Sequence, residues 1–80
     1  MTDEAILAGI GEVARVHLGW RGDLSPDMRL IEDLRLDSVR LLTLAAEVEN
    51  RFRVLLDEVD DRAVETVGDL IILVRRKLRG

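Results

Sequence analysis

No cysteine occurs in these 80 residues, which excludes a disulfide framework, a cysteine-rich metal site and any thiol supplied by the chain itself. Histidine occurs once, at His17, too few for a histidine-based metal cluster. No apolar run approaches membrane-spanning length, so no membrane insertion is expected. The start, Met1-Thr2-Asp3-Glu4, is the reverse of a basic signal-peptide opening, and a soluble, cytoplasmic chain is the expectation. No internal repeat, low-complexity stretch or second domain is expected within these residues.

What is present fits one small domain, residues 1–80, with a hydrophobic content of 48% suited to a compact helical bundle. The net charge is −4, yet Arg75, Arg76, Lys77 and Arg79 crowd the C-terminal turn. The rest of the chain is therefore strongly acidic, a distribution that repels nucleic acid and predicts basic partner surfaces. The basic cluster itself is explained by favourable interaction with the C-terminal end of a helix.

Periodicity predicts four helical pieces. The first runs from about Asp3 to Leu18, with Ile6, Leu7, Ile10, Val13, Ala14 and His17 on one side and Gly19 ending it. A long connection from Trp20 to Asp37 follows, holding the only proline, Pro26, and Gly22. Leu24, Leu30, Ile31, Leu34 and Leu36 can pin it to the bundle, three of them at the spacing of a helical turn. The second helix places Leu41, Leu44, Ala45, Val48 and Phe52 in one arc and Arg40, Thr43, Glu47, Asn50 and Arg51 in another. A short third helix is expected near Val59, Ala63 and Val64. The last opens at Thr66, with Asp69 three residues on, and carries Val67, Leu70, Ile71, Val74 and Leu78 as its core stripe. Ile72 and Leu73 widen that stripe, which predicts burial against the long loop ahead of a self-association surface.

Ser38 is the most informative residue. It stands at the start of the second helix, where Asp37 or Ser38 can cap free N–H groups. An anion attached there gains about 0.3–1 kcal/mol from the macrodipole at an exposed site. Val39, Leu42 and Ala46 form a further apolar arc in the turns nearest Ser38, one that a core stripe does not require.

The run Glu32-Asp33-Leu34-Arg35-Leu36-Asp37-Ser38-Val39, with Glu49 and Phe52 downstream, resembles the signature of acyl carrier proteins, E-D-L-G-x-D-S-L before a helix ending in E-x-x-F. His17-Leu18-Gly19-Trp20 is similar to the x-L-G-V that closes the family's first helix. Glu65-Thr66-Val67-Gly68-Asp69-Leu70 is similar to the T-V-x-D-L that opens its last. The resemblance covers nearly the whole chain. It implies an all-α four-helix bundle with a long first loop and a short third helix.

By the same resemblance, Ser38 is the attachment site of 4′-phosphopantetheine, transferred from coenzyme A by a phosphopantetheinyl transferase that also reads Asp37. Acyl groups would be held as thioesters on the arm, brought by an acyl-loading ligase or acyltransferase and passed to downstream acyl-processing enzymes. Partner docking would fall to Val39, Arg40, Leu42, Ala46 and Glu47, and the carrier itself would be a freestanding monomer and not an enzyme. Arg35 replaces the family's glycine, Val39 its leucine, and Leu55-Leu56 its isoleucine-proline pair. Arg40, Thr43 and Arg51 stand at positions commonly acidic in carriers of general fatty-acid synthesis, which points to a specialised fatty-acid or polyketide-type pathway.

Other readings stand beside this one. A peptidyl or aminoacyl carrier shares the same signature, and an unmodified helical interaction module would use the apolar arc alone. A catalytic serine needs a base within hydrogen-bond reach and an oxyanion site, and the chain offers a single histidine and no G-x-S-x-G elbow. Ser25, the only other serine, precedes Pro26 and needs only a turn role. Trp20 is read as a packing plug, His17 as a helix-end residue, and Asp57 to Asp61 as solvated surface.

Overall fold

A computed structural model describes residues 1–57 and 63–79. Among them are three helices and no strand: α1 (Asp3–Leu18), α2 (Ser38–Phe52) and α3 (Val67–Leu78). The short third helix expected around Val59 falls largely at 58–62, outside the described residues.

Each helix begins where a side chain can take up an orphan N–H. Thr2 accepts from Ala5 N–H at 3.1 Å, and Asp37 Oδ1 from Arg40 N–H at 2.8 Å. At α3 the box is complete: Thr66 Oγ1 accepts from Asp69 N–H at 3.0 Å, while Asp69 Oδ2 accepts from Thr66 N–H at 3.1 Å. A further bond from Glu65 N–H helps hold the Asp69 carboxyl below its usual value. At the far ends, α1 stops at Gly19 and α2 at Arg53, both left-handed.

The core is aliphatic apart from Phe52. Ile6, Ile10 and Val13 of α1 meet Leu44, Val48 and Phe52 of α2 and Val67, Leu70, Ile71 and Val74 of α3. Contacts run from α1 to both other helices, so it is the central strut. Gly9 allows the Phe52 ring to lie against the α1 backbone.

The long connection is ordered through backbone bonds to the start of α3. Leu30 N–H donates to Glu65 O at 3.0 Å, Val67 N–H to Met28 O at 2.9 Å and Gly68 N–H to Pro26 O at 2.8 Å. Asp33 and Leu34 N–H both donate to Arg29 O, forming the expected helical turn. Leu30, Leu34 and Leu36 are buried, as expected for pins.

Three apolar residues depart from their expected burial. Ile31 is 62% exposed, because the turn that buries Leu30 and Leu34 points the intervening position outward. Ile72 is 45% exposed, since the loop covers the beginning of α3 while Leu73 alone turns inward. Leu78 is also exposed, lying in the last turn beyond the packed span.

Candidate attachment site at Ser38

Two devices position Ser38. Asp37 is the N-cap, in extended backbone, and its side chain fixes the first turn through Arg40 N–H. Ahead of it, Arg35 takes φ 56, the left-handed turn that leads the chain from the buried Leu34 and Leu36 pins into the helix. Ser38 is then the first helical residue and is exposed to solvent. Its N–H and that of Val39 lack carbonyl partners within the helix, so an anion joined to Ser38 meets the positive end of α2.

Beside Ser38 opens an apolar cavity of about 320 Å³. Leu41, Leu42, Leu44 and Ala45 of α2 form one side, Leu70 of α3 and Leu30 of the long loop another, and Leu56 and Val64 close it. Periodicity did not reveal this space. Its one sequence signal was Ala45, a small side chain in the core arc where a leucine would have filled the gap.

The other site residues divide. Val39 and Leu42 are 68% and 67% exposed, and Ala46 is exposed beside them, so the apolar arc is a real surface. It continues further than expected, for Ala46 shares a groove with Arg53, Val54 and Leu55, and Leu55 is 83% exposed. Arg40 is exposed at the α2 entrance. Glu47 sits elsewhere: its carboxylate is 3.6 Å from His17 Nε2 on α1 and accepts from Asn50 Nδ2 at 3.1 Å. It belongs to the α1–α2 seam, which explains His17 as well.

Ser25 bonds to Asp27 within its turn, and this bond holds the Asp27 carboxyl below its ordinary value. Trp20 packs against the core as a plug, with its indole Nε1 buried and without a partner among the described residues. No group of three or more histidine, aspartate or glutamate side chains gathers as a metal site among the described residues. No described helix is long and apolar enough to cross a membrane.

No family model matches the chain. Among relatives, an acyl carrier protein of Thermotoga maritima is 30% identical over 76 residues, 94% of each chain. The meromycolate extension acyl carrier protein of Mycobacterium leprae is 27% identical over 95% of this chain and 67% of its own length. An acyl-carrier-type structure from Mycobacterium tuberculosis superposes with a TM-score of 0.72 at 32% identity, covering 92% of this chain and 95% of the other. The Enterococcus faecalis acyl carrier protein shares the fold, with a TM-score of 0.76 at 22% identity over 96% and 99% of the two chains. With an exposed serine opening its second helix, an apolar cavity beside it and relatives of this kind along almost its full length, the chain belongs to the acyl carrier protein family, whose members are carriers and not enzymes.

Proposed function

We propose that the chain, acting in the cytoplasm as one unit over residues 1–80, carries acyl intermediates as thioesters on a 4′-phosphopantetheine arm at Ser38. In the loading step the Ser38 oxygen bonds to the pantetheine phosphate of coenzyme A. The nucleotide half leaves, and the hydroxyl proton passes to a base of the phosphopantetheinyl transferase. The new phosphodiester anion sits at the α2 N-terminus, where the residues present fit it: Asp37 caps from the side and leaves the first N–H groups free. The arm supplies the thiol that the sequence lacks.

The observation that carries this reading is Ser38 standing exposed at the mouth of the cavity. That space is lined almost wholly by aliphatic side chains, which suits a hydrocarbon tail better than a polar aminoacyl group. Relatives named for meromycolate extension support fatty-acid-type cargo. Tethering lets each ligase, acyltransferase or processing enzyme meet its substrate at high effective concentration through a weak docking contact. The position of Val39, Arg40, Leu42 and Ala46 around Ser38 supports them as that contact. Incubation with coenzyme A and a broad-specificity transferase tests the proposal. Intact mass should rise by one phosphopantetheinyl unit, Ser38→Ala should abolish the rise, and Ser25→Ala should leave it unchanged.

A further inference from the structure

We propose that the docking face beside Ser38 is built for an acidic partner: a protein surface presenting apolar side chains ringed by carboxylates. This rests on the carrier reading above and names the chemistry of the partner at that site.

An apolar track runs along α2 from Val39 through Leu42 to Ala46 and on to Leu55. The charged groups around it are unequal in availability. Of the carboxylates between residues 35 and 53, Asp37 is occupied by Arg40 N–H at 2.8 Å. Glu47 is held between His17 and Asn50. Glu49 lines the same groove as Ala46, Arg53 and Leu55 and accepts there from Leu56 N–H at 2.9 Å. All three acids of this segment are thus hydrogen-bonded within the chain.

The cations are not. Arg51 approaches Glu12 at 3.8 Å, but Arg35, Arg40 and Arg53 are exposed and have no ion-pair partner among the described residues. Arg40 stands at the Ser38 end of the track, and Arg53 lines the groove with Ala46 and Leu55 at the other. The segment holds four guanidinium groups against three carboxylates in a chain whose net charge is −4. Total charge predicts basic partners, whereas the groups free to make intermolecular pairs at this face predict the opposite. Rim charges of this kind steer encounter and reject wrong partners more than they add affinity.

The test is titration of the ¹⁵N-labelled full chain with two short amphipathic helical peptides that share one leucine stripe, flanked by glutamate in one and by lysine in the other. The glutamate peptide should shift the amides of Val39, Leu42, Ala46 and Leu55 and bind about fivefold more tightly than the lysine peptide. The double variant Arg40→Glu/Arg53→Glu should reverse the preference, and Arg40→Lys/Arg53→Lys should keep it, both with native-like spectra. Equal binding, preference for the lysine peptide, shifts elsewhere, no binding of either, or an unaltered preference in the charge-reversed variant would overturn the proposal. Because the titration uses unmodified protein, its outcome is independent of whether Ser38 accepts the arm.

Discussion

A β-carbon placed on Gly9 would lie 2.5 Å from Cζ of Phe52. The phenylalanine of the helix-II signature therefore rests directly on the backbone of α1. Alanine at position 9 should gain about 0.5–1 kcal/mol in helix propensity. The buried ring cannot retreat without disturbing the α1–α2 contact, and overpacking of this kind costs about 1–3 kcal/mol. Gly9→Ala should thus be destabilising on balance in urea titration, and Gly9→Ala/Phe52→Leu should recover part of the loss relative to the sum of the single changes.

Arg35 stands where the family has glycine, and its φ of 56 gives the reason for that glycine. A left-handed non-glycine residue costs about 1–2 kcal/mol, against about 0.5–1 kcal/mol of added chain entropy for glycine in the unfolded state. Arg35→Gly should raise the thermal midpoint slightly. A fall in stability would mean that the arginine makes a compensating contact.

Much of the fold was legible in the residues because the local signals agreed. Gly19 ends α1, and Thr66 and Asp69 open α3, where capping chemistry places them. The exposed place of Ser38 at the start of α2 was legible through the run around it, and the exposed arc through helical spacing. Glu47 was not, because a helical wheel assigns it to a wet face without showing that His17 on another helix lies beside it. Ile31 and Ile72 were misjudged for a similar cause: hydrophobicity gives a preference for burial, but the loop supplies only enough cover for their neighbours. The cavity is a property of three elements meeting, which no single segment encodes.

The α3 capping box should respond to acid. Bonds to the backbone N–H groups of Glu65 and Thr66 lower the Asp69 pKa in the folded state, so the ionised carboxylate favours folding. That contribution is fully present above the unfolded value of about 3.9 and is lost as pH falls through the lower folded value. Chemical denaturation should show wild type more stable than Asp69→Asn near neutrality, with the gap narrowing below about pH 4. Thr66→Ala should cost about 1 kcal/mol.

The cavity should distinguish cargo by length. An octanoyl chain on the arm can bury methylenes against Leu41, Ala45 and Leu70, each worth up to about 0.8 kcal/mol, whereas an acetyl group has none to bury. Octanoyl-loaded protein should be about 1–3 kcal/mol more stable than acetyl-loaded protein. Ala45→Leu should shrink that difference by filling the space, as read from thermal unfolding of both loaded forms.

The central claim is that Ser38 receives the prosthetic group, and peptide mapping after transferase treatment addresses it most directly. Trypsin cuts after Arg35 and Arg40, isolating Leu36-Asp37-Ser38-Val39-Arg40, and after Arg21 and Arg29, isolating the segment with Ser25. The account predicts the phosphopantetheinyl addition on the first peptide, with fragment ions assigning it to Ser38, and none on the second. Addition at Ser25, or an unmodified Ser38 peptide after treatment with transferases that load other carriers, would contradict it.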